Sequence, residues 1–435
     1  SNPIAKTMKI QSKLWCLTLV LVSSISMAQQ GVYAEKSYSK EVQKLSKRSM
    51  ITKAFDRIKA LEKETLRHHI ELTEIAAPPF MEQQRAASFA DRLQQVGVDS
   101  IWTDSVGNVI GLIRGSKGAK TVALNAHLDT VFPEGTDVSV RVSNDTLYAP
   151  GIGDDTRGLA ILITVAEVIN EFEIKPKSDV LLVASVGEEG LGDLRGVKEL
   201  FSERGPKIDS WIAIDGGSIG RVNTKALGSY RYKLTFEGPG GHSWGAFGLA
   251  NPHHALGSAI HHFVGLADAY TSEGPKTSYN VGVIEGGTSI NSVPFSSSML
   301  IDIRSVEPYR LDEMEQLLDQ SMQQALEEQN SIRRRGEALT ASLEKIGNRP
   351  SGALDPGLPL IQRAIAATEL FGVAAELTRG STDSNIPISL GIPAITIGRG
   401  GTGGNAHSLD EWWFDEKGYE AVQYALLVLL AEAGI

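Results

Sequence analysis

Thr121-Val-Ala-Leu-Asn-Ala-His127-Leu-Asp129-Thr-Val131 sets the architecture of the whole chain. A β-branched and apolar run enters it, and His127 and Asp129 leave it two residues apart. In an extended chain such residues share a face, so imidazole and carboxylate project into one space. A metal-bound imidazole needs a group that fixes its ring and tautomer, and a carboxylate at this spacing can supply one. Taken alone, the pair also fits an ordinary polar strand end. Four later stretches repeat the arrangement and change the weight of the first.

Gly151-Ile-Gly-Asp154-Asp155-Thr-Arg-Gly158 opens a long apolar helix expected from Leu159 to about Ile169. Acids at that position also suit a helix N-terminus without further function. Val180–Val186 reads as an unbroken buried strand that ends in Gly187-Glu188-Glu189-Gly190. Trp211–Ile214 runs into Asp215, and Pro393–Ile397 into a glycine-rich loop that carries His407. Continuous apolar strands alternating with helices predict an α/β protein built on a mostly parallel sheet covered by helices. In such sheets ligands bind beyond the carboxyl ends of the strands, where these acids and histidines emerge.

The frame agrees. A chain of 435 residues exceeds one ordinary core, so two domains are expected. A net charge of −10 argues against nucleic acid or an anionic membrane surface as partner. Beyond the N-terminus no apolar run is long enough to span a bilayer. Residues 8–28 read as a signal peptide: basic residues after Met8, a short apolar core at Leu14–Val22, and small residues ending in Ser26-Met27-Ala28. This implies an exported protein, periplasmic or secreted. The one cysteine, Cys16, falls inside that segment, so the mature chain would hold no disulfide.

Residues 29–50 read as a polar tether, and 51–227 as the first part of the catalytic domain. One helix is expected over Met50–Ile75, with His68 and His69 on a solvated face, and another over Glu82–Val96. Residues 228–347 change texture. Strand, helix, two strands, helix and strand follow in the order of a split βαββαβ, ferredoxin-like unit inserted into the sheet domain. Residues 348–435 return to the catalytic domain and close it with helices near Pro356–Leu370 and Glu416–Ala433.

His127, Asp154 or Asp155, Glu188, Glu189, Asp215 and His407 form the candidate site. Imidazole and carboxylate without cysteine suit Zn²⁺ or Mn²⁺ at a catalytic centre. Two histidines cannot complete two tetrahedral ions, but one carboxylate can bridge both. Adjacent Glu188 and Glu189 cannot point the same way in an extended segment, so one can ligate while the other serves as base.

With these motifs in order, the chain resembles the cocatalytic dizinc exopeptidase and amidohydrolase family that includes tripeptidase T, carnosinase, aminoacylase and succinyl-diaminopimelate desuccinylase. The resemblance covers roughly Leu66 to the C-terminus. It rests on Ala-His127-Leu-Asp129, Gly-Asp154-Asp155-Thr-Arg-Gly, Gly-Glu188-Glu189-Gly, Asp215-Gly-Gly, Gly-Pro-Gly-Gly-His242-Ser and Gly-Gly-Asn405-Ala-His407-Ser. It implies two divalent ions, Zn²⁺ first with Mn²⁺ or Co²⁺ as alternatives. His127, Asp154 and Asp215 would hold one ion. Asp154, Glu189 and His407 would hold the other. Glu188 would be the general base, and Asp129 would orient His127. Asp154 is chosen over Asp155 as the first acid of the family's Asp-Asp-Lys-x-Gly motif, from which this chain departs at Thr156. The inserted unit resembles the family's lid and dimerisation domain. That implies a homodimer in which His242 crosses to the partner's site, with Asn291 and Arg304 contacting substrate.

The implied substrate is a small peptide or an N-acyl amino acid. An Asp at position 215 accompanies free-amino-terminus substrates in the resembled family, which tilts the reading towards a di- or tripeptide aminopeptidase. A carboxypeptidase or N-acyl amino acid deacylase is the alternative. Two further patterns are set aside: Gly216-Gly-Ser218-Ile-Gly220 and Gly398-Arg-Gly400-Gly-Thr-Gly403 fit a nucleophile elbow and a dinucleotide fingerprint, but no helix is expected after either. His253, His254, His261 and His262 are expected on a solvated or interface face of the lid helix.

Overall fold

A computed structural model describes residues 31–98, 100–118 and 120–435. The signal segment 8–28 and Cys16 lie outside the described residues. The first described helices are α1 (Lys36–Ser46), α2 (Ser49–Ala60), α3 (Glu62–Thr73) and α4 (Gln83–Gln95). α1 lies where a polar tether was expected. Val42 and Leu45 are buried, Glu35 N–H donates to Gln362, and Glu41 pairs with Arg363 at 2.8 Å. The apolar stripe of α1 is only Tyr38, Val42 and Leu45, too sparse to stand out in a charged segment. The single helix expected over Met50–Ile75 breaks at Leu61 into α2 and α3.

The main sheet has nine strands. They begin with β1 (Ser100–Thr103), β2 (Val109–Ile113) and β3 (Thr121–His127). Short β4 (Arg141–Ser143) and β5 (Thr146–Tyr148) belong to a separate sheet. α5 (Thr156–Glu171) then leads to β6 (Asp179–Ser185), α6 (Arg195–Leu200), β7 (Ser210–Ile214) and β8 (Arg221–Ala226). The inserted segment comprises β9 (Gly228–Glu237), β10 (Gly241–His242), α7 (Pro252–Thr271), β11 (Thr277–Gly286), β12 (Ser292–Val293), β13 (Ser296–Ser305), α8 (Pro308–Ile332) and β14 (Thr340–Arg349). The chain finishes with β15 (Gly352–Ala353), α9 (Pro359–Glu369), β16 (Glu376–Gly380), α10 (Asn385–Ser389), β17 (Ala394–Ile397), β18 (Thr402–Gly404), β19 (Trp412–Phe414) and α11 (Tyr419–Ala433).

The main sheet runs β1-β2-β6-β3-β7-β17-β8-β15, with β16 beside β8. Its middle four strands, β6, β3, β7 and β17, are parallel, in register at Leu124 with Leu182 and Ile212. β2 and β8 flank them antiparallel. The mostly parallel α/β sheet expected above is therefore present, with antiparallel margins. Parallel order brings the C-terminal ends of β3, β6, β7 and β17 to one edge. The middle strands are apolar on both faces because helices cover them: α5 and α11 pack against β3, and α9 against β17. Truncating a fully buried core residue such as Leu182 to Ala would cost about 2–5 kcal/mol.

Residues 228–349 form a four-stranded antiparallel sheet in the order β11-β13-β9-β14, backed by α7 and α8. It has its own apolar core, around Tyr232, Leu234, Phe236, Phe263, Met299, Ile301 and Met314. Those β9 residues alternate with Ser229, Arg231 and Lys233, which lie on the face away from the helices. A third sheet, β18-β19-β5-β4, has strands of three residues each. Nothing so short carries a readable period, and none of it was expected.

Candidate active site

β3 delivers His127, 2 % exposed, to the cleft edge. Its Nε2 lies 2.8 Å from Asp154 Oδ1, and its Nδ1 lies 2.9 Å from the backbone oxygen of Asp129. That second contact differs from the expected one. The Asp129 carboxylate stands 3.6 Å from the ring and instead accepts the backbone N–H groups of Glu188 (3.0 Å) and Glu189 (2.8 Å). Asp129 thus ties the turn after β6 to the turn after β3, and fixes His127 through its main chain. Arg85, fully buried, steadies the same turn by donating to the carbonyl of Leu128 at 2.7 Å.

The two adjacent acids part ways across a cis peptide bond. Asp154 faces both histidines, with its Oδ2 3.1 Å from His407 Nε2. Asp155 turns inward, where its carboxylate accepts the N–H of His127 at 3.1 Å. A Cβ at Gly158 would stand 2.5 Å from Asp155 Oδ1, so glycine there leaves room for the inward acid. Glu189 Oε1 lies 3.0 Å from His407 Nε2. His127, Asp154 and Glu189 offer donor atoms within 4.8 Å of one another. Asp215, at the end of β7, and Glu188 line the same cavity of about 400 Å³.

The electrostatics of this cluster fit a cation. Burial pushes Glu188 well above the usual carboxylate range, and the neighbouring Glu189 charge adds to it. Burial also raises Glu189, and burial with the Asp154 charge raises Asp215 to about 7. Hydrogen bonds to Asp154 and Glu189 lift His407 to about 11. Burial would lower His127, yet the Asp129 and Asp154 carboxylates raise it well above the ordinary value. Acids that resist ionising together, wrapped around two imidazoles, relax when positive charge enters their midst. The donor set has the residue types and the convergence that hard-to-borderline divalent ions require.

The opposite wall is cationic, and most of it was not foreseen. Arg221, Arg231, Arg304 and Arg349 all line the cavity. β-Pairing assembles three of them: Arg349, Ser229 and Arg304 form one cross-strand row, and Gly347, Arg231 and Asp302 the next. A Cβ at Gly347 would press within 3.1 Å of the Arg231 side chain, so glycine clears its path. Asp302 accepts from Arg231 at 3.1 Å and from Arg304 at 2.8 Å. Arg349 donates to Ser381 at 3.1 Å and to the backbone of Glu188, and lies 3.4 Å from the Glu188 carboxylate. Arg221 donates to the carbonyl of Asp215 at 3.1 Å. Register brings Arg231, Arg304 and Arg349 together across many residues of chain, which no local motif records.

Of the expected substrate contacts, Arg304 reaches the cavity. His242 and Asn291 do not line it. They sit together on exposed β10 and the turn before β12, where Ser243 N–H donates to Asn291 O at 2.8 Å. His68 and His69 were expected on a solvated face, and both are buried. Burial holds them neutral, lowering His68 to about 4 and His69 to about 3, and His69 meets Trp413 edge-on at 5.0 Å between centroids. An i, i+1 pair in a polar helix gave no sign that Trp413 of β19 would cover His69 and that Arg92 of α4 would meet His68 at 2.6 Å. On α7, His253 bonds Ser297 at 2.7 Å and His262 pairs with Glu328 at 2.8 Å.

Residues 123–431, well over half of the chain, match the family model described as peptidase family M20/M25/M40. The uncharacterized protein YqjE of Bacillus subtilis is 23 % identical over 358 residues, which is 78 % of this chain and 91 % of that protein. Carboxypeptidase G2 of a Pseudomonas species is 24 % identical over 297 residues, covering 66 % and 68 %. Among solved structures, aminopeptidase PepT of Bacillus cereus superposes with a TM-score of 0.68 at 20 % identity, over 86 % of this chain and 99 % of that one.

Proposed function

The chain belongs to peptidase family M20/M25/M40, and from that premise we propose that it hydrolyses an amide bond in a small peptide or N-acyl amino acid at a two-metal centre. The observation that carries this is Asp154, whose two oxygens each face a different histidine at 2.8 and 3.1 Å. His127 and Asp215 would complete one ion's set, and Glu189 and His407 the other's. Zn²⁺ is the first candidate, with Mn²⁺ or Co²⁺ as alternatives. Bound there, the ions supply a polarised substrate carbonyl and a lowered water pKa. Glu188, buried and held by Arg349, takes the proton of the attacking water and returns it to the departing nitrogen.

The sequence argument from Asp215 favours a free amino terminus. The cationic wall favours a carboxylate on the amine side of the scissile bond, since Arg231 and Arg304 share only Asp302 and Arg guanidinium groups bind carboxylates well. We give the wall more weight and place carboxypeptidase or deacylase action ahead of aminopeptidase action. Comparing a free tripeptide, its N-acetylated form and its C-terminal amide on the metal-loaded enzyme tests this. Loss of turnover on C-terminal amidation alone supports the reading; loss on N-acetylation alone restores the aminopeptidase.

Residues 228–349 would serve as lid and dimerisation domain. Trp244, Phe247, Ile290 and Phe295 are exposed near His242, and β11 is an open sheet edge carrying exposed Val283 and Ile284. A second copy would cover this surface and place His242 beside the partner's developing oxyanion. Export rests on residues 8–28; among the described residues no helix is long and apolar enough to cross a membrane.

A further inference from the structure

The chain crosses between the main sheet and the inserted sheet twice, at Leu227 after β8 and at Pro350 after β14. On the main-sheet side, β8 and β15 pair antiparallel as far as Ala226 with Gly352. On the inserted side, β9 and β14 resume at Ser229 with Arg349. Between these pairs the ladder lapses over Leu227–Gly228 and Pro350–Ser351, and Pro350 has no N–H to offer it. One side chain takes up a carbonyl from each crossing. Asn385, fully buried at the start of α10, donates through Nδ2 to Leu227 O at 2.9 Å and to Pro350 O at 3.1 Å. Its Oδ1 accepts the Thr382 N–H at 3.0 Å, so both amide protons and the amide oxygen are engaged. The loop that carries Asn385 is itself tied to the main sheet. Thr382 and Ser384 each bond Thr396 of β17 at 2.7 Å, and Asp383 accepts from Ser185 of β6.

We propose that Asn385 is a positioning residue that pins both linkers, fixes the angle between the two sheets and so sets the reach of the arginine wall. Hinges form at a few element-terminal residues, and the lapsed ladder supplies them on both linkers at once. Arg349 and Ser229 border the gap, and Arg304 stands beside Ser229 in the same cross-strand row. Rotation at the gap would therefore swing these arginines against the acids of the main sheet. Only a side chain with two donors on one atom can hold two carbonyls and still accept from the loop behind it. An Asp in its place would turn an oxygen towards both carbonyls, and a Ser would be too short to reach them. The consequence for specificity rests on the amide-hydrolase reading above; the pin does not.

The test places spin labels on exposed Gln94→Cys of α4 and Gln323→Cys of α8, with the one native cysteine removed as Cys16→Ser. Pulsed electron resonance on the Zn²⁺-loaded protein, diluted with unlabelled chain, reads the distance within one molecule. Asn385 as in the wild type should give one narrow distance. Asn385→Asp and Asn385→Ser should broaden it or add a second population. The same variants, unlabelled, should shrink the preference for the better-cleaved tripeptide, free or N-acetylated, over its C-terminal amide about tenfold, mainly through KM. A broad distribution with Asn385 in place overturns the pin even if neither variant folds, as does an unchanged distribution in a folded variant. A broadened distance with an unchanged preference overturns the role in specificity. If no substrate is cleaved, the hydrolase reading fails, while the distances still decide the pin.

Discussion

The two walls of the cleft are built by opposite means. One consists of short motifs at the ends of parallel strands, where His127, Glu188, Asp215 and His407 each follow an apolar run. The other consists of arginines on a sheet face, where Arg231, Arg304 and Arg349 meet through antiparallel register. The acidic wall is tied by many hydrogen bonds, down to the Asp129 carboxylate beneath the Glu188–Glu189 turn, with His407 standing 54 % exposed at its rim. The cationic wall runs from buried Arg349 to Arg304, 41 % exposed in its side chain. Chemistry needs fixed atoms, and specificity tolerates longer, more mobile arms. Mutations should therefore separate the walls by kind of effect.

The largest effect should come from the acidic wall. Removing metal with a chelator should abolish turnover, with recovery on adding Zn²⁺, Mn²⁺ or Co²⁺. Glu188→Gln should lower kcat by about 10²–10⁴ with metal content intact. Glu189→Gln should instead lose part of the bound metal, read by elemental analysis. The opposite pattern would exchange the two roles.

On the cationic wall, Arg304→Met should act through KM, raising it about tenfold or more for substrates with a free α-carboxylate, while metal content stays constant. An equal fall in kcat for amidated substrates would break the division between walls. Mixing His242→Ala with Glu188→Gln protein, each inactive alone, should restore part of the activity if subunits exchange. Full activity in a stable monomer would remove His242 from the chemistry.

The smallest effect concerns stability. Glu62 is raised to about 7 by burial, against the opposing charge of Arg157, which lies 3.1 Å away. Between its unfolded value near 4.5 and about 7, the folded chain binds more protons than the unfolded one. Stability from this group is therefore greatest at low pH and falls as pH rises through that window. Glu62→Gln should flatten the slope, so the Tm of the wild type drops relative to the variant from pH 5 to pH 8 by a few degrees. Parallel Tm curves would show that Glu62 does not titrate in this range.

Much of the cleft's acidic side was legible because strand ends are local. An apolar run ending in Gly-Glu-Glu-Gly or in Asp-Gly-Gly announces both the strand and the group it presents, and parallel order does the rest. The alternation of Tyr232, Leu234 and Phe236 with Arg231 and Lys233 likewise announced the inserted sheet. α1 was missed because three apolar residues in a charged segment define a helix only once α9 and α11 supply the surface they cover.

The α/β class, the order of the inserted unit and a set of candidate imidazole and carboxylate donors at the strand ends could be read from the chain alone. Packing in three dimensions settled which of Asp154 and Asp155 faces the histidines, and that Asp129 holds the Glu188–Glu189 turn. It also decided that four arginines face the acids across the cavity. The physical reason is range. Strand ends and helix stripes are written within about ten residues by backbone period. Charge across a cleft depends on register and loop packing between segments that are distant along the chain, and no local pattern encodes it.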